Sequence, residues 1–282
     1  MERTSIRLGG GIELHSTIMN ASGPRSAERG EIYELAALHA GALVFKSCNR
    51  AGLEHPENLK NRGVEHFAAI AGELVARGKK IIGSIVSTSE DEFISVARTL
   101  DRAGVAILEL NFADEFVANS MAPFASLERL KALVGGVRSA VTCVLAVKLP
   151  PRTPFAPRAL ADLLKSMQVA IAVCQNDPPK DLEIDLATGS VKGKVRALSH
   201  AHAMYRESED LLDIVAVGGI NSGRDAYVAH LSGAKGLQVG SALIKEGAGA
   251  LGRIDRELDA LLAEHDKRSV SEIIGKLTFT EA

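Results

Sequence analysis

Residues 213–247 read DIVAVGGINSGRDAYVAHLSGAKGLQVGSALIKEG, and this stretch decides the fold. Two apolar runs, Asp213–Ile220 and Gly236–Ser241, each end in a glycine turn, Val217-Gly218-Gly219-Ile220 and Val239-Gly240-Ser241-Ala242. Between them SGRDAYVAHLSGAK has helical spacing, with Ser222 placed to cap it. Strand, glycine turn, helix and strand again is the repeat of a parallel α/β protein. Glycine lets backbone N–H groups approach a phosphate with no Cβ in the way, and a following helix N-terminus adds a favourable dipole. Closed barrels often build a phosphate site in the loops after their seventh and eighth strands. Either turn alone reads equally well as a packing glycine. Together, with GGI-xx-GxDA between them, they point to a phosphate carrier without saying which one.

Working outward, six further apolar runs precede these two: Thr17–Ala21, Ala42–Ser47, Lys80–Ser87, Ala106–Ala113, Cys143–Leu149 and Val169–Gln175. Eight runs are the number that closes a parallel barrel, and near-continuous apolar character is what strands covered on both faces require. The segments between them carry helical spacing. In residues 28–41, Ile32, Leu35, Ala36 and Leu38 fall on one face and Gly41 sits where a C-cap belongs. STSEDEFISVARTLDRAG opens on Ser and Thr, has an acidic first turn and stops at Gly104. The tail from Ile254 to about His265 reads as a charged amphipathic helix on the outside. No low-complexity linker interrupts the chain, so residues 1–282 are read as one domain, a (β/α)8 TIM barrel. The doubly wound open sheet is the rival, and the two late glycine turns favour closure.

Composition excludes several function classes. The 282 residues are 46% hydrophobic and 24% charged, ample for a core of barrel size. A formal net charge of −2 and only 4% aromatics give no reason to expect nucleic acid or a membrane surface as partner. Cys48, Cys143 and Cys174 form no CxxC pair and no metal spacing, which fits a reduced, cytoplasmic protein without a metal. Cys143 and Cys174 read as buried strand residues. The N-terminus has no apolar run of signal length, and no run approaches a membrane span.

Motifs in order along nearly the whole chain resemble the dihydroorotate dehydrogenase family, in its soluble class 1 branch. They are Met19-Asn20-Ala21-Ser22-Gly23, Phe45-Lys46-Ser47, Leu108-Glu109-Leu110-Asn111, Val147-Lys148-Leu149-Pro150-Pro151, the 213–247 stretch and the later SVSEIIGKL. The resemblance implies FMN as cofactor, a small-molecule substrate and a homodimer. It implies Lys148 beside the flavin, where a cation stabilises the reduced ring, and Lys46 between flavin and substrate carboxylate. Asn111 would hydrogen-bond substrate and flavin. Asn176 and Asp177 would join Lys46 and Asn111 around the substrate. Ser22, Ser47 and Gln175 fall at flavin-contacting positions, and Gly218, Gly219, Gly240 and Ser241 at the phosphate. A lysine ending a barrel strand also reads as a snorkelling surface residue, although two at the chemical face weaken that reading.

The sequence departs from the family pattern at the catalytic loop. The family places a cysteine or serine base there, in a pattern like N-x-S-C-P-N; here it reads Asn111-Phe112-Ala113-Asp114-Glu115-Phe116. Asp114 stands at the base position and Phe116 replaces an asparagine that grips the substrate. An aspartate has a reference pKa near 4 and needs desolvation to serve as a base near neutrality; a solvated acidic loop is the plainer reading. The substrate loop shrinks to Glu57-Asn58-Leu59-Lys60-Asn61-Arg62-Gly63, and a glycine-rich stretch before Lys194 is largely missing. His66, Arg62 and Arg152 are compensating candidates or surface residues. Three readings follow: an FMN-dependent oxidoreductase acting on dihydroorotate or a related small cyclic or carboxylated compound, with Asp114 as base; a non-catalytic ligand-binding relative; and a flavin-free phosphosugar isomerase or aldolase with Lys148 as a Schiff-base lysine.

Overall fold

The computed structural model describes residues 2–23, 25–38, 41–53, 60–176, 183–192, 199–208 and 210–279. The chain opens with a hairpin, β1 (Ile6–Leu8) and β2 (Ile12–Leu14). Then follow β3 (Ile18–Asn20), β4 (Leu43–Val44), β5 (Ile81–Ile85), β6 (Ile107–Asn111), β7 (Val144–Lys148) and β8 (Val169–Gln175). Short strands β9 (Glu183–Ile184) and β10 (Ser190–Lys192) come next, then β11 (Asp213–Val217), β12 (Gly236–Val239) and finally β13 (Thr278–Phe279). The large sheet is eight-stranded and parallel, in the order β3-β12-β11-β8-β7-β6-β5-β4. All eight expected runs supply a strand of it.

The seam between β3 and β4 is closed by a side chain. Asn20, fully buried, donates from Nδ2 to the Val44 carbonyl at 2.5 Å and accepts from the Val44 amide at 3.0 Å through Oδ1. A carboxamide thus stands in for a strand peptide. Asn20→Ala leaves both Val44 groups unpaired and is expected to cost about 2–6 kcal/mol, at about 1–3 kcal/mol per buried unpaired group; urea unfolding measures it, and an unchanged midpoint would contradict this role.

Alternation along the strands sorts side chains between two cores. Leu108, Leu110, Leu145 and Val147 face outward and join the layer packed under the helices. Met19, Val44, Ile82, Ile107, Ala146, Ile171, Val173 and Val215 fill the lower interior with Leu8 and Leu14 of the hairpin. The hairpin plugs the barrel floor: Gly9, at φ +56°, donates to Asp213 Oδ2 at 2.8 Å, and a Cβ there would lie 2.7 Å from Ile171 Cδ1.

The helices are α1 (Arg29–Leu38), α2 (Val64–Ala76), α3 (Glu90–Arg102), α4 (Glu115–Met121), α5 (Leu127–Arg138), α6 (Pro157–Ser166), α7 (His200–Ser208), α8 (Gly223–Leu231), α9 (Ser241–Glu246) and α10 (Gly249–Glu264). Ser89 and Ser222 cap α3 and α8 as the sequence suggests, accepting from Glu92 and Asp225 amides. Three expectations shift. Leu38 is 55% exposed, at the end of α1 and beyond the reach of its buried face. The tail helix α10 begins at Gly249, earlier than expected. Cys143 precedes β7 and is only half-buried, whereas Cys174 lies buried inside β8.

His230 in α8 ties the helical layer to the start of β3. Its Nδ1 donates to the Ala234 carbonyl at 2.7 Å, which leaves Nε2 to accept from the Thr17 hydroxyl at 3.0 Å. Complete burial pushes its pKa down to about 4. The unfolded chain, at about 6.5, therefore takes up the proton first as pH falls. The stability is complete above that value and is lost down to about pH 4, roughly 3 kcal/mol in all. Urea unfolding at pH 7 and pH 4.5 checks this, and His230→Gln should remove most of that acid sensitivity.

Candidate active site

The upper barrel interior, above the apolar floor, is polar. On β6 the inward positions after Ile107 are Glu109 and Asn111; on β7, Lys148 follows Ala146; on β12 the inward residue is Gln238. Glu109 is 0% exposed, and Lys148 Nζ lies 3.6 Å from its Oε1. Ser84 donates to Glu109 Oε1 at 2.9 Å and Gln238 Nε2 donates to Oε2 at 2.6 Å. Lys148 in turn donates to Gln238 Oε1 at 3.1 Å and to Ser22 Oγ at 3.2 Å. The Lys148 side chain is 12% exposed. It is therefore a fixed charge reaching toward the barrel mouth, and the snorkelling reading fails.

A second arm runs from Ser84 across to β6. Ser84 and Ser47 hydroxyls are 2.9 Å apart, and Asn111 Nδ2 donates to Ser47 Oγ at 3.0 Å. Asn111 Oδ1 is buried and has no hydrogen-bond partner. A buried acceptor left unmatched in this way is uncommon, and it can receive a hydrogen bond from a donor that enters the site.

Lys46 follows β4 at the same end and is half-buried. Burial lowers its pKa first; the charge of Asp114 opposes that shift and the charge of Lys148 adds to it. Those couplings put Asp114 and Lys148 each within electrostatic reach of Lys46. Asp114 itself is the N-cap of α4, accepting from the Phe116 amide at 3.0 Å through Oδ1. The expected acidic loop is thus a capped helix, and Phe116 sits half-buried in its first turn.

The two glycine turns lie side by side. Their strands pair in register Val217↔Gln238, and Ser241 Oγ donates to Asn221 Oδ1 at 3.0 Å between them. Gly218 and Gly219 have φ of +101° and +70°, a conformation open chiefly to glycine. A Cβ on Gly240 would meet only Ala21 Cβ, at 3.8 Å. Among the described residues, the amides of Gly219, Gly240 and Ser241 make no hydrogen bond. Gln175 and Asn176 border this cradle: Asn176 Nδ2 donates to the Gly218 carbonyl at 3.4 Å, and Gln175 Nε2 is 3.8 Å from the Cβ position of Gly218.

Asp177, Glu57–Leu59 and Lys194 lie outside the described residues. Arg62 is exposed and paired with Glu28 at 2.9 Å, and Arg152 is exposed. His66 packs edge-on to Phe67, its Nε2 buried without a partner. Burial raises the thiol pKa of Cys48 to about 12 and pushes those of Cys143 and Cys174 up as well, so none is a thiolate near neutrality. Sequence reading assigned no role to Glu109, Gln238 or Ser84. The signal was present: a glutamate two residues before Asn111 in an otherwise apolar strand must point the same way, into the barrel.

The family model for dihydroorotate dehydrogenase matches residues 10–262. The chain belongs to the dihydroorotate dehydrogenase family. Relatives bear out the match in length as well as pattern. A dihydroorotate dehydrogenase (fumarate) of Lachancea kluyveri is 28% identical over 293 residues, covering 92% of this chain and 93% of the relative. That of Trypanosoma cruzi is 29% identical over 299 residues, covering 93% and 95%. Among solved structures, the Eimeria tenella dihydroorotate dehydrogenase in complex with ferulenol aligns with TM-score 0.80 at 16% identity, over 98% of this chain and 88% of that one. That likeness establishes the barrel fold.

Proposed function

We propose that this chain is an FMN-dependent oxidoreductase that oxidises dihydroorotate, or a related small ring bearing a carboxylate, in pyrimidine biosynthesis. The observation that carries the reading is the adjacency of the two glycine turns to Lys148, which is hydrogen-bonded to Gln238, two residues before Gly240 on β12. The names of the family and of its relatives supply the reaction. The residues present fit the cofactor. Gly219, Gly240 and Ser241 offer amides to a phosphate, Ser22, Ser47 and Gln175 flank the mouth, and Asn111 Oδ1 offers a buried acceptor. When bound, FMN supplies the hydride acceptor.

The chain's own residues do the rest. Lys148 would hold a positive charge for the flavin, Lys46 would offer a cation to the substrate carboxylate, and Asp114 would receive the proton lost from the substrate. The Schiff-base reading loses ground because Lys148 is held against the Glu109 carboxylate. A single domain over 1–282 and a cytoplasmic homodimer complete the proposal, resting on the resemblance; no helix among the described residues is long and apolar enough to cross a membrane. Anaerobic mixing of the yellow protein with dihydroorotate tests it. Loss of the oxidised-flavin absorption, restored by fumarate (the acceptor in the relatives' names), is the expected result. A flavin that stays oxidised would refute the substrate assignment.

A further inference from the structure

Hydrogen-bond direction inside the barrel can be worked out from donor counts alone. The Glu109 carboxylate, paired with Lys148, only accepts. Ser84 spends its one hydroxyl proton on Glu109 Oε1, so the 2.9 Å contact with Ser47 must have Ser47 as donor. Ser47 Oγ then has only lone pairs left for Asn111, which must turn its Nδ2 inward and its Oδ1 outward. The same logic holds on the other side. Lys148 donates only, so Gln238 must face it with Oε1 and face Glu109 with Nε2. Both carboxamide orientations thus end at one buried carboxylate.

We infer that Glu109 is a positioning residue for the active site: from the barrel centre it holds Lys148 as a fixed cation and, through Ser84 and Ser47, makes Asn111 present a carbonyl acceptor to the ligand. The ligand group facing Asn111 must therefore be a donor, an N–H or O–H, as a cyclic amide or imide provides. A hydroxyl relay ending in a neutral amide would lose this direction. In Glu109→Gln the new Nε2 has its good partner in Ser84, because turning it toward Gln238 would force that amide's NH2 group against Lys148. Ser84 then accepts, the relay reverses, and Asn111 turns its NH2 outward.

The inference rests on the flavin reading for its redox consequence and stands without it for the orientation of Asn111, so two measurements separate the cases. Glu109 moderates the Lys148 charge that favours the reduced, more negative ring. Removing the carboxylate charge in E109Q should raise the midpoint potential of bound FMN, in anaerobic dye-linked titration, by at least tenfold in the oxidised-to-reduced affinity ratio, ~30 mV for a two-electron couple. Ser84→Ala keeps the Glu109–Lys148 pair and should leave the potential at the wild-type value. In 15N NMR of flavin-free protein, the Asn111 side-chain NH2 should exchange slowly in wild type and rapidly in both E109Q and S84A. An unchanged potential in E109Q, or an equal shift in S84A, overturns the hold on Lys148. Asn111 exchange that ignores S84A overturns the relay, even where E109Q fails to fold. A colourless wild-type protein sinks the flavin reading alone, and the exchange experiment still decides the relay.

Discussion

Replacing Lys148 with methionine is expected to slow flavin reduction by roughly 10²–10³-fold, the usual loss when one preorganised partner of developing negative charge is removed. It should also destabilise the fold. Among the described residues, Lys148 is the cation paired with Glu109, a carboxylate that is 0% exposed. Deleting one member of a buried pair costs about 3–5 kcal/mol, because the other charge stays behind uncompensated. At about 2–4 °C per kcal/mol for a protein near this size, the melting temperature should fall by roughly 6–20 °C. The double variant K148M/E109Q separates the two effects. Part of the stability returns once the orphaned charge is gone, while the reduction rate stays low. Calorimetry and stopped-flow reduction read both, and a K148M protein as stable as wild type would show that the pair is not what holds the barrel centre.

The second large effect concerns Asp114, which carries two roles at one position. As N-cap of α4 it accepts from the Phe116 amide, worth about 1 kcal/mol. As the proposed base it should contribute about 10²–10⁴-fold to substrate oxidation. Asp114→Asn separates the roles, because asparagine caps a helix as well as aspartate does and takes no proton. Both D114A and D114N should keep the yellow spectrum and lose the rate, and only D114A should lose stability. Normal reduction in D114N would reduce Asp114 to a helix cap and remove it from the chemistry.

The eight strands were legible because parallel strands buried on both faces need near-continuous apolar runs, and Ile81–Ile85 and Val144–Lys148 have them. The glycine turns were legible because Gly218 and Gly219 adopt positive φ. The floor hairpin was not, since Ile6–Leu8 and Ile12–Leu14 are short and half-exposed, and only the three-dimensional barrel shows what Gly9 plugs. Asn20 was read as part of a motif, but its role as a substitute peptide depends on Val44 lying opposite, a contact between strands that share no ladder. Helix α4 was hidden because Asp114 was weighed as a base and not as a cap. In the site, Lys46, Asn111 and Lys148 could be named from their motifs. Glu109, Gln238 and Ser84 required following the alternation inward, past the residues that face a ligand.

The most direct test is the absorption spectrum of the purified protein, followed by mass analysis of whatever acid releases from it. A phosphate cradle beside a fixed ammonium predicts a yellow protein that gives up FMN in near one-to-one ratio. A colourless protein, or one that releases a flavin without its phosphate, would contradict it.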